Sequence, residues 1–434
     1  MRTLITGGTV VREDGVFDAE VLLDAGRILE IGERLHETSA GRGADEIVAV
    51  TGCFILPGGV DVHTHVNLTA GETHVADGFT AATEAAAFGG TTTLVEHPGF
   101  GASDCDLMQQ IDTYTAEAAG RCAVDYAFHG VLQRVDAGIL AQIPELVRQG
   151  IPTFKAYTTY DGRLNDEELL CALSAVEEAG GLLTVHAIRF LTAQLDATPA
   201  RYDTTSYPKS RPAFCEAEAV YRVLRLAQTA QASVYIVHLS TAEGLQHIRR
   251  AQQGTSRKVI AETCPHYLLL QEDCYAEPDG RKYLMAPPLR TNNDREALWD
   301  GLEDGSIAVV ATDHCSFSLA QKQAPDSVFD VPYGVAGVET RLPLLFSEGV
   351  LKGRLTLPRF VAVVATAPAR IMGLPDKGHL SPGADADITV LDPADERLIK
   401  ASTLHHTDST PYEGMVVRGW PRHVWLRGEP VICD

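Results

Sequence analysis

The chain has 434 residues, 45% of them hydrophobic, and 58 acidic against 36 basic side chains leave a formal net charge of −22. That length supports a large core and, being above the usual single-domain size, a second smaller unit. The charge argues against nucleic acid or an anionic membrane as a partner, and no apolar run approaches a membrane span.

The opening Met1-Arg2-Thr3-Leu4-Ile5-Thr6 lacks the apolar core of a signal peptide. Nine cysteines, an odd number with no Cys-x-x-Cys, fit small buried hydrophobes in a reducing compartment. The expected location is the cytoplasm. Residues 1–52 read as short strands (Leu4–Val11, Ala19–Leu23, Arg27–Ile31) punctuated by Gly and Asp turns. The last stretch, residues 376–434, is similar, with Asp387–Leu391 and Arg422–Leu426 strand-like. Neither end has enough strands to bury a face alone, so the two are expected to combine into one small β-sandwich.

Residues 53–375 alternate strand and helix. The expected strands are Phe54–His63, Thr91–Glu96, Val124–Leu132, Thr153–Tyr157, Leu182–His186, Val234–Leu239, Val259–Thr263 and Ile307–Thr312. Helical stretches such as Phe79–Phe88, Asp166–Ala179, Cys215–Gln231 and Asp294–Glu303 fall between them. Apolar strands in this alternation predict a parallel sheet, and eight units suit an α/β fold of the (β/α)8 TIM-barrel type. A doubly wound open sheet is the alternative, disfavoured because no Gly-x-Gly-x-x-Gly follows the first strand.

In a barrel the reacting groups cluster at the carboxyl ends of the strands. Those ends carry His63 and His65, then Lys155, His186, His238 and Asp313. His63 and His65 are two apart on a strand and project to the same side. Neutral imidazoles there form half of a metal site. A lone histidine on an apolar strand is commonly a hydrogen-bonded core residue, but four of them with an aspartate on one rim point to metal. Lys155 is the odd member, since an ammonium repels a cation and lysine is seldom buried unpaired. It is either paired with an acidic neighbour or carboxylated, the carbamate then offering two oxygens to two ions.

Several segments carry a resemblance that spans nearly the whole chain. They include Gly59-Val60-Asp61-Val62-His63-Thr64-His65, Phe88-Gly89-Gly90-Thr91-Thr92-Thr93, Glu262-Thr263-Cys264-Pro265-His266-Tyr267, Ala311-Thr312-Asp313-His314-Cys315 and Gly337-Val338-Glu339-Thr340-Arg341. With these the sequence resembles the cyclic amidohydrolases, in their dihydropyrimidinase/hydantoinase branch and closest to its D-phenylhydantoinase type. The resemblance implies a barrel with a composite β-sandwich and two divalent metal ions, usually zinc. His63, His65 and Asp313 would hold one ion, His186 and His238 the other, with carboxylated Lys155 bridging them. It further implies hydrolysis of a cyclic amide by metal-activated water. Asp313 would move the proton, and Tyr160, five residues after the lysine, would donate to the oxyanion.

Four departures from the family pattern stand out. Ala187-Ile188-Arg189 follows His186 where an acidic residue and Asn are usual, Tyr333 stands in place of Asn before Gly334, and Ala286 in place of Ser. The chain also ends at Asp434 without the longer tail that many relatives use in subunit contacts, so a homo-oligomer is expected but not its size. The expected partner is a small cyclic amide. Other readings on the same fold are an allantoinase-like enzyme or a non-catalytic dihydropyrimidinase-related scaffold, the latter disfavoured because every ligand position is filled. Deaminases of the superfamily need no bridging lysine, so Lys155 speaks against them.

Overall fold

Strand follows strand around a closed parallel barrel in the computed structural model, which describes residues 1–70, 73–189, 203–254 and 256–433. The barrel strands are Gly59–Thr64, Thr91–Glu96, Asp125–Phe128 continued by Gly130–Val131, Thr153–Tyr157, Leu182–His186, Val234–Ile236, Val259–Thr263 and Val309–Val310. Neighbours pair in parallel, and a parallel bridge from Thr64 to His314 joins the last segment to the first. Thr91-Thr92-Thr93-Leu94-Val95 shows why: β-branched residues suit a pleated strand, and all six residues of Thr91–Glu96 are buried, as a strand covered on both faces requires. The helices between are started by local caps. Asn165 accepts from the amides of Glu167 and Glu168 at the head of Asp166–Glu178, completing a capping box, a device worth about 1 kcal/mol.

Both chain ends build the β-sandwich. Its six-stranded sheet runs Glu429–Cys433, Val416–Leu426, Ile388–Leu398, Phe54–Pro57, Thr9–Arg12, Gly15–Asp18. The four-stranded sheet runs Arg27–Gly32, Glu20–Asp24, Thr3–Thr6, Glu46–Ala49. Ile5, Val10, Val21 and Leu23 from one end pack with Ile388, Val390 and Trp425 from the other in a single apolar cluster.

Two apolar runs that read as continuous strands are divided between sheets. Phe54–His63 breaks at Gly58: the first half joins the sandwich, the second enters the barrel. Gly58 donates its amide to the Asp387 carbonyl at 2.9 Å, and a Cβ there would lie 2.1 Å from Thr92 Oγ1, so the crossing point is too tight for a side chain. Leu4–Val11 likewise breaks at Gly7, whose φ of +76° favours glycine, and its halves enter different sheets. Hydrophobicity records that a segment is buried, not which sheet buries it. Among the described residues no helix is long and apolar enough to cross a membrane.

Candidate metal centre

The first barrel strand delivers His63 and His65 to the mouth. His63 is fully buried, and its Nδ1 lies 2.7 Å from Glu262 Oε1 at the end of the seventh strand. Glu262 also accepts from the Tyr235 hydroxyl (2.7 Å) and the His238 amide (3.0 Å), so its position is fixed from three sides. A carboxylate on Nδ1 selects the tautomer that leaves Nε2 free for a cation. Burial holds His63 well below the usual imidazole pKa, with Lys155 acting the same way, which keeps the ring neutral.

Asp313 Oδ1 sits 3.2 Å from His63 Nε2 and 3.3 Å from His65 Nε2. The preceding residue anchors it. The Thr312 amide and hydroxyl donate to the Asp61 carboxylate at 3.1 and 2.6 Å, tying the eighth strand to the first. Asp313 (φ +49°), His238 (+40°) and Tyr160 (+69°) all occupy the left-handed region. Non-glycine residues there carry strain of order 1–2 kcal/mol each. Three such residues around one pocket mark a backbone bent to aim side chains.

Lys155 lies at the middle of its buried strand with Nζ 3.3 Å from His63 Nε2. Burial pulls its pKa down to about 8, against the upward pull of Asp313 and Glu262. A sizeable neutral fraction of amine is therefore available near physiological pH. On the far side, His238 Nε2 and His186 Nδ1 converge to 2.6 Å, and burial depresses both pKa values well below the usual. The His63 and His238 rings are 5.4 Å apart, so the two groups of ligands face one space.

Ala187-Ile188-Arg189 does not leave His186 unsupported. The Thr158 hydroxyl lies 3.0 Å from the His186 carbonyl and 2.9 Å from that of Ile188, and accepts from the Ile188 amide at 3.1 Å. Backbone clamping by Thr158 takes the place of an acidic neighbour, and Arg189 turns outward to Glu218. Tyr160 stands over His186 with ring centroids 5.2 Å apart; the residue keeps 37% of its surface exposed, while loss of water around the hydroxyl pushes its phenol up to about 12, so it stays a proton donor. Tyr333 packs on Tyr207 (4.9 Å), has the Arg211 guanidinium over its ring (4.8 Å), and donates to the Phe329 carbonyl (3.1 Å). Ala286 is buried beside Pro287.

The structure therefore brings together His63, His65, Lys155, His186, His238, Asp313 and Tyr160. It adds four groups that the sequence reading passed over. His97 ends the second strand, with its ring 4.5 Å from His63 and 5.3 Å from His65. His129 stacks on its back at 4.1 Å. Glu96 accepts from the Thr64 hydroxyl and, at 2.7 Å, the Val66 amide. Glu262 is the fourth. Glu96, His97 and Glu262 sit at or just past the ends of the second and seventh strands, and His129 within the third.

The donor set fits a borderline-soft divalent cation. Among the described residues both His97 nitrogens are buried with no hydrogen-bond partner, which is costly unless another group meets them. One ligand atom each from His63, His65 and His97 lies within 4.8 Å of the others.

Comparison with known proteins agrees with this geometry. A family described as the Amidohydrolase family matches residues 54–431. D-phenylhydantoinase of Escherichia coli K12 is 44% identical, the match covering 100% of this chain and 95% of that protein. Among solved structures, the dihydropyrimidinase from Brevibacillus agri NCHU1002 superposes with a TM-score of 0.95 at 34% identity, over 100% of this chain and 95% of that one. The L-hydantoinase (dihydropyrimidinase) from Arthrobacter aurescens gives 0.89 at 29% identity, over 99% and 96%.

Proposed function

The chain belongs to the amidohydrolase family, in its dihydropyrimidinase/hydantoinase branch, and on that premise we propose that it hydrolyses the ring amide of hydantoins or dihydropyrimidines to N-carbamoyl amino acids. The observation that supports this most is the convergence of His63, His65 and Asp313 within 3.3 Å contacts, with Lys155 equally close to His63. In this reading His63, His65 and Asp313 hold one divalent ion, zinc by preference, and His186 with His238 a second. Lys155, as its carbamate, would serve as a further ligand. The chemistry such ions would supply is a bound water with a pKa near neutrality and a polarised ring carbonyl.

The chain's own groups carry the rest. Asp313 accepts the proton of the attacking water and delivers it to the leaving ring nitrogen, a role typically worth ~10²–10⁴ in rate. Tyr160 donates its phenolic hydrogen to the developing oxyanion, and loss of one such donor costs roughly 3–4 kcal/mol. Glu262 keeps His63 in its ligating tautomer. Tyr207 and Tyr333 pack on one another with the Arg211 guanidinium over both rings. We place the protein in the cytoplasm as a homo-oligomer.

The test is hydrolysis of phenylhydantoin, dihydrouracil, allantoin and dihydroorotate at one pH. Neutral rings are expected to turn over and dihydroorotate to be rejected. The position two past His65, where an arginine would hold a ring carboxylate, is Asn67, and its side-chain amide already donates to Glu117 at 2.8 Å. A substrate carboxylate there would meet an acid and remain unpaired. Equal or better kcat/KM for dihydroorotate than for phenylhydantoin would overturn the assignment to the hydantoinase branch.

A further inference from the structure

His97 has no place in the ligand set just described, yet its placement is that of a ligand. It follows the last residue of the second strand, is fully buried, and among the described residues neither ring nitrogen finds a hydrogen-bond partner. Its back face is held by the His129 ring, stacked at 4.1 Å and 17°, and His129 is in turn fixed through Nε2 on the Val62 carbonyl at 3.0 Å. The free edge of His97 is thus presented towards His63 and His65, and the three rings offer ligand atoms within 4.8 Å of one another. Nitrogens around a tetrahedral zinc stand about 3.3 Å apart, given Zn–N of ~2.0–2.1 Å, so the three rings would close by at most about 1.5 Å from the 4.8 Å limit. Asp313 Oδ1, already 3.2 and 3.3 Å from the two other histidines, supplies a fourth donor.

We propose that His97 is a reserve ligand. With His63, His65 and Asp313 it holds a single zinc-type ion before Lys155 is carboxylated, and it yields its position once the carbamate forms. This rests on the metal reading above and adds an order of assembly to it. The two-ion centre needs carbon dioxide to be complete, because the neutral Lys155 amine adds to CO2, forming one N–C bond, releasing one proton and leaving a carbamate anion. Until then the first ion would have only His63, His65 and Asp313. His97 fills that gap with a neutral donor, and it does so on the same side of the pocket as the lysine, whose Nζ is 3.3 Å from His63 Nε2. The carbamate oxygen then replaces the His97 nitrogen, one metal–ligand bond for another.

The test uses full-length protein, cobalt(II) as the probe, and a competing chelator. Lys155→Ala is expected to bind one cobalt per chain, with the visible absorption intensity of four-coordinate cobalt. Lys155→Ala combined with His97→Phe, which keeps the stack on His129 but removes both nitrogens, should bind that ion at least ~10-fold more weakly. Equal affinity in the two variants overturns the proposal. Zinc-edge X-ray absorption on Lys155→Ala alone gives an answer that does not depend on the double variant folding: three imidazoles are expected, and two overturn it. Wild-type protein loaded with cobalt and bicarbonate separates this inference from its premise. Two ions there, with two imidazoles or equal affinities in the variants, defeats only the role of His97; no ion at all defeats the metal reading itself.

Discussion

Two clusters of ligand-type side chains lie at opposite ends of the barrel strands, and they differ in what already satisfies them. At the amino end, Asp125, Asp385 and Asp387 bring carboxylate oxygens as close together as the histidines do at the carboxyl end. There, however, Lys377 reaches all three, at 2.8 Å to Asp385 and 2.7 Å to Asp387 as well as touching Asp125. Arg427 meets Asp125 at 2.9 Å and Arg27 meets Asp385 at 2.9 Å. Although burial alone would pull Lys377 down, Asp387 and its neighbours push its pKa up to about 12. At the histidine end the one lysine is displaced the other way, and buried nitrogens have no partner. Proximity of ligand atoms is common to both clusters. Unmet bonding capacity is confined to one, and that is what marks a site.

Four substitutions probe the contrast, the largest effect first. Lys155→Ala should reduce the metal content from the proposed two per chain to at most one and turnover to background, because in the proposed centre its carbamate would serve both ions. Metal analysis of the purified variant checks this, and two ions with full activity would remove the lysine from the centre. Asp313→Asn keeps an oxygen for the metal but cannot accept a proton. Metal content should fall modestly while kcat drops by at least ~10²; near-normal turnover would deny Asp313 the role of base.

Tyr160→Phe removes one hydroxyl and little volume, and the loss should fall on kcat, roughly ~10² or somewhat more, with KM little changed. An effect on KM alone would make Tyr160 a pocket wall. Lys377→Met should act on the opposite axis. It leaves three carboxylates facing one another and lowers stability by up to the ~3–5 kcal/mol of a buried pair that loses one partner, because only 12% of the lysine side chain is exposed. Thermal unfolding would show it, with kcat and metal content unchanged. A loss of metal from this variant would mean that the two ends are not independent.

How far the chain could be read in advance follows the same division. Thr91–Glu96, Thr153–Tyr157, Leu182–His186, Val259–Thr263 and the helix Phe79–Phe88 appear with the bounds expected of them, because each is an apolar run between clear turn signals. The short eighth strand was expected as Ile307–Thr312 and forms Val309–Val310; Ala308 and Ala311 still donate to the seventh strand, but Thr312 gives its amide to Asp61. That contact spans most of the chain and leaves no local trace. His63, His65, His186, His238 and Asp313 were legible as polar residues at or just past apolar strand ends, and Lys155 as a lysine within a buried apolar strand. Glu262 and His97 obey the same rule at other strands. What no strand-end rule conveys is the partner each one has, such as Tyr235 on Glu262 or Thr158 behind His186.

The division of one apolar run at Gly58 bears on how the chain is made. Phe54–Pro57, which leads directly into the strand carrying His63 and His65, pairs on one side with Thr9–Arg12 and on the other with Ile388–Leu398. The second partner is synthesised about 330 residues later. During translation, which adds residues at roughly 5–20 per second, that edge of Phe54–Pro57 stays open until nearly the whole barrel has left the ribosome. Such late, long-range pairing is slow, and an open apolar edge invites association with other chains. Shortening the chain before Ile388 would leave the edge permanently open. The expected result is aggregation rather than a smaller working enzyme, even though His63, His65, Lys155, His186, His238 and Asp313 all lie upstream of the cut.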